Sequence, residues 1–221
     1  MTKYNEWDGR IAGIVLAGGA GRRLGGDKAL GLLGGKTLLD HAISRARPQV
    51  AALAVSANSG DAAYRAPGLP VLADSAPGLP GPLAGILAGM DWAASSGMAW
   101  LASFPCDAPF FPRDLVARLA AARAAGQADI ACAASGGRTH PVFALWPARL
   151  REELRRALRD EGLRKVETWA ARYRVVTVAI PVEPFDPFLN INTPDDLSRA
   201  ETLLAALRSA DNDGAGSLGG T

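Results

Sequence analysis

The stretch Ile11-Ala-Gly-Ile-Val-Leu-Ala-Gly-Gly-Ala-Gly-Arg-Arg-Leu-Gly-Gly-Asp-Lys28 decides the fold. Residues 11–17 are a short apolar run of the kind that forms a buried strand. The run stops at a loop with five glycines in the nine positions 18–26, which also carries Arg22 and Arg23, with Lys28 just beyond. Helical periodicity resumes soon afterwards. Glycines let backbone N–H groups close on an anion, because no Cβ blocks the approach, and the basic side chains add charge against a polyphosphate. The segment therefore reads as a nucleoside triphosphate loop after the first strand of an α/β domain.

Two other phosphate loops are excluded by spacing. A Walker A loop needs a hydroxyl directly after its lysine to reach Mg²⁺, and here Lys28 is followed by Ala29. A dinucleotide fingerprint laid on Gly19 and Gly21 puts Leu24 where a small residue must close against the helix. A basic cluster is also foreign to a pyrophosphate that rests on a bare helix N-terminus. An NAD-dependent oxidoreductase fails on these grounds.

Composition narrows the class further. At 221 residues, 48% of them hydrophobic, the chain is long enough for one domain with a full core. A net charge of +2 and no basic stripe argue against nucleic acid as a partner. Cys106 and Cys132 lie in or beside apolar runs and read as buried free thiols, which points to a reducing cytoplasm. Neither an export signal nor a membrane span is visible, so no membrane partner is expected. The expected organisation is a polar extension over 1–10, a catalytic domain over 11–208 and a disordered Gly, Ser, Asp and Asn tail over 209–221.

Strand-like and helix-like segments alternate throughout. Strands are expected at 11–17, 51–57, 70–73, 98–104, 129–134, 141–146 and 174–180. Helices are expected at 36–47, 61–65, 83–94, 112–125, 147–159 and 193–207. The last carries a Thr193-Pro-Asp-Asp cap. Such alternation predicts a mostly parallel sheet with helices on both faces, a single Rossmann-like domain.

In open parallel sheets ligands sit beyond the carboxyl ends of the strands. Polar residues gather at five such ends: the glycine loop, Ser56-Ala-Asn58, Asp74-Ser75, Pro105-Cys-Asp-Ala-Pro109 and Asn190-Ile-Asn192. Asp107 leaves a hydrophobic strand between two prolines. A lone carboxylate there suits Mg²⁺, which binds through one or two carboxylates plus substrate phosphates, or else closes a local Asx-turn. Asp74 either hydrogen-bonds a base or ribose or caps the turn into its proline-rich loop. Arg138 and His140 precede an expected strand. Along 151–172 the arginines read as a solvated helical face with Glu152 and Arg156 paired, His41 as a helix-face residue, and Trp92, Trp100 and Trp146 as core.

Six motifs occur in order: Leu16-Ala-Gly-Gly19 with Arg23 and Lys28, Asp74-Ser75, Gly81-Pro-Leu-Ala-Gly85, Pro105-Cys-Asp-Ala-Pro109, His140-Pro-Val142 and Asn190-Ile-Asn-Thr-Pro194. Together they resemble the molybdenum cofactor guanylyltransferase family, over about residues 11–207. The resemblance implies a Rossmann-like nucleotidyltransferase fold, GTP as co-substrate, Mg²⁺ as the metal and molybdopterin as acceptor. It also implies, as partners, a molybdenum-insertion protein and the recipient molybdoenzyme or its chaperone.

Carried over by position, Leu16, Ala17 and Gly18 match the family's base- and ribose-contacting backbone. Lys28 matches its phosphate-binding lysine, Asp74 its nucleotide-contacting acid and Asp107 its magnesium ligand, while Arg23 adds charge against the triphosphate. Arg138, His140, Arg164, Lys165, Asn190 and Asn192 fall on the pterin side. Ser56 stands where some relatives carry an asparagine that contacts the nucleotide, so Asn58 or a water takes over there. Gly19, where cytidylyl relatives carry alanine, favours guanine.

The implied reaction is in-line attack of the molybdopterin phosphate on the α-phosphorus of GTP. That phosphate is already anionic and needs no strong base, and no His–Asp or Cys–His arrangement stands near the loop. The alternatives are cytidylyl transfer to molybdopterin, guanylyl transfer to another small phosphorylated acceptor, and a silent nucleotide-binding regulator of molybdoenzyme maturation.

Overall fold

The computed structural model describes residues 11–18, 28–58, 62–65, 68–74 and 81–216, with side chains to Ser209. Gly19, Arg22, Arg23, Ser75, the extension 1–10 and the last five residues lie outside the described residues.

Strands β1 (Ile11–Leu16), β4 (Ala52–Ser56), β5 (Val71–Leu72), β6 (Trp100–Pro105), β7 (Ile130–Ser135), β8 (Arg138–Pro147) and β9 (Val175–Ala179) form one seven-stranded sheet in the order β5-β4-β1-β6-β8-β7-β9. A separate hairpin, β2 (Leu32–Leu33) with β3 (Lys36–Thr37), opens the first helix. The helices are α1 (Leu38–Ala46), α2 (Pro82–Ser95), α3 (Leu115–Ala125), α4 (Arg151–Arg159), α5 (Val166–Ala170) and α6 (Pro194–Gly216).

β1 is apolar on every residue because both of its faces are covered. Ile11 and Val15 join a core that includes Ile43, Val55, Phe104 and Leu119. Ala12 and Ile14 face the opposite core, with Ile86, Leu87, Trp146 and Trp169. The sequence expectation of a single mostly parallel sheet between two helical layers is met. One strand departs from it: β8 runs antiparallel to both β6 and β7.

That departure has a local cause. Gly136 and Gly137, at φ 52° and 76°, supply the two left-handed residues of a tight hairpin between β7 and β8. β8 therefore starts at Arg138, not after His140 as expected. Its ladder with β7 then skips, from Ala133 opposite His140 to Cys132 opposite Ala144. Residues 141–143 bulge out of register there, and Pro141 has no N–H to donate. The Ser103 hydroxyl donates to the Val142 carbonyl, and Trp146 Nε1 donates to that same hydroxyl at 2.8 Å. The bulge re-aims the start of β8 toward the carboxyl ends of β1 and β6.

Other boundaries shift for similar reasons. Lys36 and Thr37 are strand, and Thr37 begins α1 through a capping box with Asp40. α5, absent from the sequence reading, is only five residues long. α6 continues past the expected end at Leu207 to Gly216. Glu152 pairs with Arg155, whose guanidinium also holds Asp91 at 2.6 Å, and not with Arg156. Both cysteines are buried and free, and burial raises the Cys132 thiol. Trp146 is core, while Trp92 and Trp100 are only partly buried. His41 Nε2 lies 2.7 Å from the Leu33 carbonyl and ties α1 to the small hairpin.

Trp146 and Trp169 are fully buried and pack ring to ring at 5.5 Å. Trp146→Ala should cost about 3–5 kcal/mol of unfolding free energy. Thr37→Ala, which removes one cap, should cost about 1 kcal/mol. Chemical denaturation of the two variants checks that order, and equal losses would contradict it.

Candidate active site

A cleft of about 550 Å³ opens at the carboxyl ends of β1 and β6. Its floor is built from the ends of strands. Ala17 N–H donates to the Ser56 carbonyl at 2.9 Å, and Cys106 N–H donates to the Leu16 carbonyl at 3.2 Å. These bonds clamp the exit of β1 between its two neighbours and hold Leu16, Ala17 and Gly18 along the cleft.

Lys28 opens a short 3₁₀ turn after the glycine loop. Its ammonium lies 2.7 Å from Asp107 Oδ2 and donates also to Asn192 Oδ1. Asp107 is held in turn, since Ile191 N–H donates to its carbonyl at 2.7 Å. Asn192 sits at the start of α6, where Asp196 accepts its N–H and that of Thr193, both at 3.0 Å. The Asn192 N–H, then the Thr193 hydroxyl and N–H, hold the Asp196 carboxyl below its usual range. Three of the expected residues, far apart in sequence, thus meet at one point.

On the β4 and β5 side, Asn58 and Asp74 grip each other. Asn58 Nδ2 donates to Asp74 Oδ2 at 2.6 Å, and Asp74 N–H donates to Asn58 Oδ1 at 3.0 Å. Ser56 is only 2% exposed, and its hydroxyl donates to Asp74 Oδ1 at 3.4 Å. Its side chain is therefore turned onto Asp74 beneath the rim, and Asn58 is the residue at the surface. A Cβ on Gly85 would stand 2.6 Å from Ser56 Oγ and 2.8 Å from Leu16 Cδ2. A bare backbone at that position is what lets α2 lie against β1 and β4, with Gly81 and Pro82 at the cleft.

The opposite wall is the bulged start of β8, including Arg138, His140 and Phe143, with Glu167 of α5 and Asn190. Arg138, His140 and Asn190 line the cleft as expected. Arg164 and Lys165 do not: the Arg164 guanidinium donates to the Leu158 and Leu163 carbonyls, and Lys165 stands at the start of α5. The sequence reading missed Glu167, which sits on a helix too short to have a period. It also missed a hydrogen-bonded chain linking His140, Ser135 and Asp186. His140 and Asp186 do not bond directly: the Ser135 hydroxyl bridges them at the start of β8.

His140 titrates below the ordinary 6.5, mainly through burial; Asp186 pulls the other way and Arg138 adds to the depression. Folding therefore disfavours protonation of this ring. Its contribution to stability is present above 6.5 and is lost as pH falls through the folded value. Urea unfolding between about pH 5 and pH 7 should show that decline, and His140→Gln should flatten it. An unchanged slope in the variant would contradict the assignment.

A parallel-sheet domain with a glycine loop, a lysine and an acid at adjoining strand ends belongs to the nucleotidyltransferase class. A family profile described as MobA-like NTP transferase domain matches residues 13–175. A molybdenum cofactor guanylyltransferase of Bradyrhizobium sp. (strain ORS 278) is 54% identical over 198 residues, covering 88% of this chain and 93% of its own. The chain belongs to the MobA-like NTP transferase family. Among solved structures, the molybdopterin-guanine dinucleotide biosynthesis protein A of Archaeoglobus fulgidus superposes with a TM-score of 0.69 at 27% identity, over 88% of this chain and 99% of that one. A Mycobacterium tuberculosis protein solved in complex with manganese shares the fold alone, at a TM-score of 0.63 and 18% identity over 87% of this chain and 98% of that one. Among the described residues no helix is long and apolar enough to cross a membrane.

Proposed function

We propose that this chain transfers GMP from GTP to the terminal phosphate of molybdopterin. A phosphate oxygen of the acceptor forms a bond to the α-phosphorus, the bond from that phosphorus to the β-phosphate oxygen breaks, and pyrophosphate leaves. The observation that carries the reading is the Lys28–Asp107 pair at the junction of two cleft walls. The relatives' shared name supplies the substrates.

The nucleotide takes the β1, β4 and β5 side. The backbone of Leu16, Ala17 and Gly18 meets base and ribose, and the Asn58–Asp74 pair presents an edge of fixed polarity, with Ser56 as its support. Lys28, with Arg23 of the glycine loop, takes the triphosphate. Pro82 starts α2 at the cleft, so the positive end of a 14-residue helix also faces the phosphates.

Asp107 fits a divalent ion. It is a single, partly exposed carboxylate in a phosphate cleft, and no group of three or more His, Cys, Asp or Glu among the described residues makes a closed metal cage. Mg²⁺ prefers this arrangement, because substrate oxygens fill its remaining positions. Held by Asp107, it would offset charge developing on the phosphates. When triphosphate enters, Lys28 exchanges its Asp107 contact for phosphate oxygens. Catalysis then comes from positioning and charge. Arg138, Asn190 and Asn192 lie toward the acceptor.

Mg²⁺-dependent pyrophosphate release should occur with GTP, and only when molybdopterin is present. CTP, ATP and UTP should give little. Asp107→Ala should lose more than about 10²-fold in rate. Preference for CTP would overturn the base assignment, and activity of Asp107→Ala within a few-fold of the unaltered protein would overturn the metal assignment.

A further inference from the structure

Ser135, His140 and Asp186 form a hydrogen-bonded chain that guanylyl transfer, as set out above, does not use. Ser135 ends β7 and is 3% exposed. Its hydroxyl lies 2.8 Å from Asp186 Oδ1 and 2.7 Å from His140 Nε2. A hydroxyl has one hydrogen and a carboxylate only accepts, so that hydrogen goes to Asp186. Ser135 Oγ must then accept from the ring, which puts the proton of a neutral imidazole on Nε2. The Phe188 N–H donates to the same Asp186 oxygen at 3.0 Å, and the Phe188 ring stacks on the imidazole at 4.5 Å. Ring orientation and tautomer are both fixed, and Nδ1 is left as a bare acceptor on a residue that lines the cleft.

The geometry points to His140 Nδ1 as the acceptor for a ring N–H donor of the pterin, with Ser135 and Asp186 as positioning residues; this rests on the guanylyl-transfer reading. Lys28 and Arg138 are donors only and suit phosphate oxygens. A pterin is a flat 2-amino-4-oxo heterocycle whose edges carry N–H donors, so it needs acceptors in the same cleft. Guanine carries such donors too, but the sheet order separates the candidates. The Asn58–Asp74 rim belongs to the β4 and β5 side, and His140 lies on β8, with β1 and β6 between them. His140 therefore faces the substrate that the nucleotide rim does not. Arg138 on its own strand, Asp186 behind it, Glu167 of α5 on the same wall, and Lys28 and Asp107 across the cleft are the charged groups around it. Burial favours the neutral ring, which keeps the acceptor in place near neutral pH.

The test combines steady-state kinetics with ¹⁵N-histidine NMR on the full chain. His140→Phe keeps a flat ring against Phe188 and removes both nitrogens. It should raise KM for molybdopterin about tenfold, the worth of one hydrogen bond, while kcat and KM for GTP stay within about twofold. The KM ratio of variant to unaltered protein should close as pH falls through the ring's own value, which burial holds below 6.5, because an imidazolium has no acceptor to lose. Titration of the substrate phosphate cancels in that ratio. NMR of the unaltered protein should show the proton on Nε2, and Ser135→Ala should shift the tautomer balance and raise KM for molybdopterin in the same direction. A proton on Nδ1, an unchanged KM, a rise in KM for GTP instead, or a ratio constant with pH would each overturn the assignment and leave guanylyl transfer standing. Absence of pyrophosphate release by the unaltered protein would overturn both.

Discussion

The Lys28 ammonium lies 2.7 Å from Asp107 and donates to Asn192 as well, joining residues 79 and 164 positions away. The lysine follows the glycine loop, the aspartate follows β6 and the asparagine opens α6. A cation at that junction, only 15% exposed in its side chain, is costly to hold without an anion beside it. Asp107 meets that need and in doing so draws the ends of β1 and β6 to one point. Its carbonyl then anchors Ile191, which brings in Asn192 and the capped start of α6. The floor of the cleft depends on this charge balance, and in the proposed reaction the same pair exchanges with a triphosphate and its metal.

Packing sets how close the walls come to that floor. Gly85 lets α2 rest on Ser56 and Leu16, and this contact seats Ser56 under Asp74. On the far side, the bulge at 141–143 lifts the start of β8 out of register with β7 and makes it a wall of the cleft. The two walls differ in chemistry. The β4 and β5 side offers a carboxamide locked to a carboxylate, and the β8 side offers Arg138 and an imidazole of fixed tautomer. A cleft with two unlike sides suits a reaction that must hold two unlike substrates in line.

What was legible in the sequence was local in origin. The apolar run of β1, the glycine loop and the Thr193–Asp196 cap each declare themselves within a few residues, and Asp107 between its prolines nearly so. What was not legible depends on distant pairing. The Gly136–Gly137 turn reverses the chain where alternation alone implies a parallel strand, which hid the start of β8 and put His140 ahead of it. Asp186 meets Ser135 across 51 positions, so no spacing rule could have exposed the chain to His140. Ser56 ends a strand, as a ligand would, but the approach of α2 that turns it onto Asp74 is not written locally. Arg164 stands out through resemblance to a basic segment near the pterin, and its guanidinium donates to the Leu158 carbonyl at the end of α4, a partner no spacing rule announces.

The central claim is that Asp107 leaves Lys28 to share a metal with the triphosphate. Calorimetric titration of GTP, with and without Mg²⁺, into the unaltered protein and Asp107→Asn tests it most directly. The account predicts that Mg²⁺ tightens GTP binding to the unaltered protein and has little effect on the variant. An equal Mg²⁺ enhancement in both would contradict it.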